Sequence, residues 1–149
     1  MRNEAPSGSE IAEKAARIKL DNRKDINGEK NGKKVRFRGA DLSQVKSLDE
    51  LEAGQVFGVL ETELTGEETT LPAGKHNLFI SKVEGQWRVY AESGSQIVAE
   101  AARVSVTEHT PSSREAIRPR FSPEGWCLFE ICLIEFWGFC ILRIGFVCF

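Results

Sequence analysis

Two histidines, His76 and His109, are the residues of this chain best suited to proton transfer near neutral pH. A catalytic dyad would also need a nucleophile or a carboxylate beside one of them, and no local pattern marks such a partner. We therefore expect both histidines to be solvent-exposed or to lie in edge strands. The sequence predicts no catalytic residue, and we expect a protein that is not an enzyme.

Two further sets of residues have the types that bind metal ions. The cysteines follow the spacing C-x4-C-x7-C-x7-C, which lacks the closely spaced pair of a zinc site. The Asp and Asn residues do not match a calcium loop, whether Gly28 or Gly32 is taken as its sixth residue, so we expect polar turns there. We predict no metal site and no cofactor. The two sets are Cys127, Cys132, Cys140 and Cys148, and Asp21, Asp25, Asn27 and Asn31.

Positive charge is concentrated early in the chain, and negative charge follows it. Residues 13–38 hold ten Lys or Arg against four acids, whereas residues 41–70 hold eight acids against one lysine. The basic segment 30–38 includes Phe37 and could contact phosphates. We expect instead a solvated strand face, with the acidic segment 61–68 as its partner or as a solvated loop. The net charge of the chain is -2, which disfavours binding to nucleic acid. Weak nucleic-acid binding through residues 30–38 stays an alternative.

Three consecutive antiparallel strands are predicted in the middle of the chain. HNLFISKV (76–83) and QWRVYAE (86–92) are separated by Glu84-Gly85, the length of a two-residue hairpin loop. Ser93-Gly94-Ser95 is a second turn signal, and a third strand begins near Ile97.

The strand 86–92 alternates between two faces. Trp87 and every second residue after it are apolar, so this face is predicted to lie in the core. The opposite face carries Arg88, Tyr90 and Glu92, and we predict it to be an exposed binding face.

Weaker patterns complete the fold prediction. Ser7-Gly8-Ser9-Glu10 has the form of a capping box and predicts a short N-terminal helix. Two Asn-Gly pairs between residues 21 and 34 predict turns. The segments 35–38 and 55–64 read as strands, and residues 40–53 as helical turns. The expected fold is mainly β: a small antiparallel sandwich or open barrel with a short N-terminal helix and a separate apolar C-terminal tail.

The stretch LPAGKHNLFI, followed by GQWRVYAESGSQIVAEA, resembles small bacterial all-β modules of the carboxypeptidase-regulatory or prealbumin-like kind. It also resembles small exported bacterial proteins that share this feature. The similarity covers residues 55–107. A tyrosine often follows the glycine in such modules, whereas this chain has Lys75-His76. The resemblance implies a binding or structural module without catalytic residues, and it implies export.

The C-terminal stretch 121–149 differs in composition from everything before it and allows three interpretations. Its last 24 residues, 126–149, could span a membrane as a helix of about 36 Å, although Glu135 lies near the middle. It could be a metal or disulfide site, which the cysteine spacing disfavours. It could also be a segment translated from a shifted reading frame, as the abrupt change of composition near Arg120 would suggest.

The predicted organisation follows from these segments. Residues 1–9 are expected to be disordered, 10–108 to form the β domain, 109–122 to be a linker and 123–149 to be the apolar tail. We expect a non-enzymatic β module with a binding or structural role and an unidentified protein or envelope partner. The alternative is a single-pass, C-terminally anchored membrane protein with a soluble β domain.

The start of the chain leaves two localisations open. MRNEAPSGSE has no apolar run of the kind that signal peptides carry. The protein is exported or periplasmic if a leader is missing from this chain, and is otherwise membrane-anchored or cytoplasmic. No cysteine precedes residue 127, so the β domain does not depend on disulfides, which is compatible with either compartment.

Overall fold

The structure is a computed structural model, and it describes most of the chain in eight ranges. These are residues 6–30, 32–42, 52–64, 73–101, 103–108, 120–121, 128–136 and 139–147. The predicted helical turns of residues 40–53 lie largely outside the described residues, as does nearly all of the predicted linker.

The first element is helix α1, Gly8–Ala15, which begins where the capping box predicts. The Ser7 side chain accepts a hydrogen bond from the Glu10 backbone N–H at 3.2 Å and so satisfies one of the donors at the helix start. One face of the helix is apolar, and Ile11 on that face is fully buried. The expectation of disorder through residue 9 is therefore wrong from Ser7 onward.

Six antiparallel strands form the larger sheet, in the order of the chain. They are β1 (Leu20–Lys30), β2 (Lys33–Ala40), β3 (Gln55–Thr62), β4 (Gly74–Val83), β5 (Gln86–Ser93) and β6 (Gln96–Glu100). The hairpin between β4 and β5 turns at Glu84 and Gly85, both with positive φ, as the sequence predicts.

Strand β1 corrects one prediction. The segment was expected to contain two turns, but Asn27-Gly28 lies within the strand, opposite Arg36 and Val35. Only the second Asn-Gly pair is at a turn, since Lys30 pairs with Lys33 and Gly32 has φ +79°. Pairing with β2 supplies the backbone hydrogen bonds that this polar segment could not form by itself.

A second antiparallel sheet has four strands in the order β7-β10-β9-β8. They are β7 (Arg103–Glu108), β8 (Arg120–Phe121), β9 (Leu128–Phe136) and β10 (Phe139–Val147). The C-terminal segment thus lies apart from the six-stranded sheet, but β10 pairs with β7, which was predicted to belong to the β domain. The mainly β class with a short N-terminal helix is confirmed.

Each face of the six-stranded sheet carries its own buried apolar cluster. The larger cluster comes from alternate positions of β2 to β5, which include Phe37, Leu60, Leu78, Ile80 and Val89. Trp87 is half-buried and packs against it, as does Val104 of β7. The smaller cluster joins helix α1 to the opposite face through Ile11, Val56, Phe79 and Tyr90. At about 1.5–3 kcal/mol for each large buried side chain, these clusters provide a rigid base for the polar residues beside them.

Gly58 is required where the sheet is most tightly packed. A Cβ at this position would overlap the Phe37 ring and would lie 2.7 Å from the Arg38 carbonyl oxygen. The missing side chain therefore lets the Phe37 ring lie directly against the β3 backbone.

Candidate functional site

A row of polar side chains crosses four strands on the face of the sheet that also carries helix α1. Antiparallel pairing places Asn27 opposite Arg36, Arg36 opposite Glu61, and Glu61 opposite Lys75. Residues directly opposite each other project from the same face with Cβ atoms about 4.5–5.5 Å apart. These four residues, which we call the charged row, therefore stand side by side.

The charged row lines an open cavity of about 1020 Å³ at one end of the sheet. We call this cavity the end groove. Its charged side chains are balanced, with three acids and three bases: Glu29, Glu61, Glu63, Lys34, Arg36 and Lys75. Such a surface has no net preference for a polyanion or a polycation.

Arg36 is the best-fixed cation of the groove. Its Nη2 atom lies 3.0 Å from Asp25 Oδ2 and forms a salt bridge with it between β2 and β1. Its Nε–H is shielded from solvent and finds no acceptor within the described part of the chain. A guanidinium held on one side and unsatisfied on the other is suited to binding an oxygen ligand.

Two lining residues of the groove, Lys34 of β2 and Glu63 after β3, are joined by two hydrogen bonds. The Lys34 N–H donates to Glu63 Oε1 at 2.7 Å, and the Glu63 N–H donates to the Lys34 carbonyl oxygen at 2.9 Å. The Glu63 carboxylate is thereby partly occupied. Glu61 and Lys75 are different: among the described residues, neither side chain has a hydrogen bond or a salt bridge.

The predicted binding face of β5 is more buried than expected. Tyr90 is 7% exposed and Glu92 is 2% exposed, so the expectation of an exposed face is wrong for both. For Tyr90 the reason is that its ring packs in the smaller cluster with Ile11 of α1 and stacks on Phe79, with centroids 5.2 Å apart. Glu92 lies in a row with Asn77, whose amide donates to Glu92 Oε1 at 3.2 Å. Whether these residues contact a ligand stays a prediction.

Arg88, the third residue of that face, is half-buried and forms a separate cluster with Tyr90. Its Nη1 atom lies 3.4 Å from Glu100 Oε1 on β6. Burial raises the pKa of Tyr90, and the nearby Glu100 carboxylate raises it further. The charge of ionised Tyr90 in turn raises the pKa of Arg88, with Glu100 acting in the same direction. The structure brings Arg88 and Tyr90 together, whereas Glu92 interacts with Asn77 instead.

The histidines differ from prediction in one case. His76 is 3% exposed and lies in β4, between β3 and β5, so it is neither solvent-exposed nor at a sheet edge. Its place opposite Leu60 puts it on the face of the larger apolar cluster. His109 lies outside the described residues.

The basic segment lies beside acids, as the sequence predicts. Arg36 forms a salt bridge with Asp25, and the Lys34 backbone N–H donates to the Glu63 carboxylate. Arg38 is opposite Asp25 in the register, so acids from both neighbouring strands flank β2.

Metal-ligand types are spread out in the part of the chain that the structure describes. There, no three His, Cys, Asp or Glu residues come close enough to hold a metal ion. Cys127 and Cys148 lie outside the described residues. Cys132 and Cys140 lie on neighbouring strands, opposite Arg143 and Glu135 respectively.

The tail differs from the helix that one interpretation required, because β9 and β10 are strands. Across the eight described ranges, no helix has the length and apolar character needed to cross a membrane.

Comparison of the chain with protein-family models, with curated proteins and with solved structures gave no match. The resemblance to carboxypeptidase-regulatory or prealbumin-like modules therefore stays a prediction.

The charged row was not predicted as a site. The sequence did indicate that the basic segment 30–38 and the acidic segment 61–68 are partners. What it lacked was the strand register, which brings Lys75 beside Glu61 and Arg36. The segment LPAGKH indicated only the start of a strand. A lysine at such a position is commonly a solvated residue, so Lys75 was not recognised as part of a site.

Proposed function

We propose that this chain is a non-enzymatic β module that binds a charged polar partner in the end groove. The observation that carries the proposal is the charged row, in which four strands contribute one polar side chain each to an open cavity of about 1020 Å³. Ligand sites commonly combine a rigid base with a few polar groups that converge on a cavity. Here the two apolar clusters supply the base.

Two of the groove's side chains are available to a partner. Glu61 and Lys75 have opposite charge, and neither is engaged by another described residue. A partner that offers both a cation and an anion would pair with both. A mixed-charge peptide segment has this property, whereas a nucleic acid presents negative charge alone.

Export and association with a cell envelope are part of the proposal only through the resemblance of residues 55–107 to exported modules. The end groove is compatible with a partner in either compartment.

The experiment is a titration of the isotope-labelled full chain, followed by the shifts of its backbone amide signals. The probes are a short peptide that alternates Lys and Glu, an all-Lys peptide, an all-Glu peptide and a single-stranded DNA oligonucleotide. We expect the alternating peptide to shift groove amides, such as those of Glu29, Arg36, Glu61 and Lys75, while the amides of β6 remain in place.

The outcomes separate the functional alternatives. If no peptide shifts the groove amides up to its solubility limit, the binding proposal fails. If the oligonucleotide shifts β2 amides at low salt, and this shift is lost at high salt, nucleic-acid binding through residues 30–38 replaces the proposal of a mixed-charge partner.

A further inference from the structure

The Arg36 side chain has a fixed orientation and an unused donor. Asp25 holds its Nη2 atom at 3.0 Å, while the buried Nε–H has no acceptor within the described residues. A buried donor without an acceptor is unfavourable. The Arg36 side chain as a whole is 39% exposed, so a ligand in the groove can contact it without reaching the covered Nε–H. The planar guanidinium favours a carboxylate or phosphate oxygen over an amide carbonyl, because charge-assisted hydrogen bonds are the stronger ones.

Two other cations lie on the same face of the sheet as Arg36. Arg38 is two residues further along β2, and its Nε–H is also buried without an acceptor in the described part of the chain, but it does not line the groove. Lys75 is two strands away, lines the groove and is exposed at the start of β4. Arg36 and Lys75 are therefore the two cations of this face that a ligand in the groove can meet.

Glu61 limits the negative charge of a ligand that can bind beside Arg36. Glu61 stands between Arg36 and Lys75 in the charged row, and a ligand with several negative charges would be repelled by it. A single carboxylate next to a hydrogen-bond donor avoids this repulsion, because the donor can face Glu61. The main chain of a peptide supplies such a donor beside its carboxylate.

We propose that the end groove binds the carboxylate of a peptide, whose oxygens accept hydrogen bonds from Arg36 and Lys75 while a peptide N–H or ammonium donates one to Glu61. This inference rests on the proposed function and names the ligand class of the same groove. The carboxylate belongs either to the peptide C-terminus or to an acidic side chain. Amidation removes the first, and replacing Glu by Gln removes the second.

The test compares four probes on the full chain by calorimetry and amide shifts. They are an alternating Lys and Glu peptide with a free C-terminus, the same peptide amidated at that end, a free-ended peptide with Gln in place of Glu, and inorganic phosphate. Loss of binding on amidation assigns the terminal carboxylate. Loss of binding on replacing Glu assigns the side chain. Equal binding by all three peptides, or tighter binding by phosphate, overturns the inference.

Variants of the chain test the assigned residue. We expect Arg36→Gln to weaken binding of the carboxylate peptide by about ten-fold or more, the effect of losing a charged hydrogen bond. Arg36→Lys keeps the charge but loses the planar guanidinium, so its affinity for the peptide should lie between that of the unaltered chain and that of Arg36→Gln. The matched control is Arg88→Gln, since Arg88 also has one salt bridge, to Glu100, and a buried Nε without an acceptor among the described residues, but it lies outside the groove.

The results distinguish this inference from the proposed function. Groove amides that shift equally with all peptides, together with equal affinity of the Arg36→Gln and Arg88→Gln chains, would reject the carboxylate and leave the groove as a binding site. Groove amides that do not shift with any peptide would reject both. If the Arg36→Gln chain does not fold, Lys75→Gln and the peptide comparison on the unaltered chain decide the matter.

Discussion

Phe79 is the residue on which the helix and the sheet depend most directly. It is fully buried, it stacks on Tyr90, and it shares a cluster with Ile11 of α1.

We expect Phe79→Ala to lower the free energy of unfolding by about 3–5 kcal/mol, because it removes a large buried ring and leaves a cavity. Urea unfolding followed by circular dichroism measures this change. Ile97→Ala is the control, since Ile97 is 37% exposed and its truncation should change stability by no more than about 0.5 kcal/mol. Similar losses in both variants would contradict the described packing.

Tyr90 should titrate above its ordinary pKa of about 10. Burial disfavours the phenolate, and Glu100 adds to this effect. Because Tyr90 is the only tyrosine, ultraviolet absorbance reports its ionisation without interference from another phenol. We expect a higher midpoint in the native chain than in the urea-unfolded chain; a midpoint at or below the unfolded one would show that the ring is not buried.

The same shift makes stability depend on pH in a definite direction. A pKa that is higher in the folded state means that the folded chain holds its proton more tightly. The resulting stabilisation is complete below the unfolded pKa and is lost as the pH rises through the folded pKa. Tyr90→Phe should remove this part of the alkaline destabilisation.

At the residue scale, the sequence predicted on which face of a strand a side chain lies better than it predicted how buried that side chain is. The alternation in β5 placed Trp87 toward the larger cluster, where it packs. The alternation could not show that helix α1 covers the opposite face, since the helix is more than seventy residues away along the chain. His76 was expected to be solvent-exposed or in an edge strand and is buried, because β4 lies between β3 and β5 and His76 is on the face of the larger cluster, which the pattern of its own strand does not show.

Helix α1 is the element that its local sequence determines most clearly. The capping box predicted its start, and the Ser7 side chain bonds the Glu10 N–H. Strand β1 is the opposite case, because its charged, polar sequence lacks an alternating apolar pattern and forms a strand only through β2. Charged residues on such an edge strand also discourage pairing with other chains.

We expect Ser7→Ala to cost about 0.5–2 kcal/mol of stability through loss of the cap. Ser9→Ala is the matched control, since Ser9 is exposed inside α1 and alanine is the better helix former. Chemical denaturation of the two variants measures the difference. A larger loss for Ser9→Ala would place the helix start elsewhere.

At the scale of the whole molecule, composition separated the tail from the rest, but it could not determine the tail's structure. An apolar run of this length is compatible with a helix or with strands when it is read by periodicity alone. The structure has β9 and β10 there, and β10 pairs with β7. The predicted boundaries at residues 108 and 122 and the reading-frame interpretation stay predictions.

The groove depends on the pairing of several strands, because its residues come from the four consecutive strands β1 to β4. A shift of one residue in any of three registers would move a charged side chain to the opposite face. The register therefore underlies both the proposed function and the ligand class.

The most direct measurement is the set of nuclear Overhauser contacts between β2, β3 and β4 in the full chain. We expect contacts between the backbone protons of Arg36 and Glu61, and of Glu61 and Lys75, as the antiparallel register requires. Contacts that pair Arg36 or Lys75 with a residue adjacent to Glu61 would place these side chains on different faces. That result would contradict the end groove as a binding site.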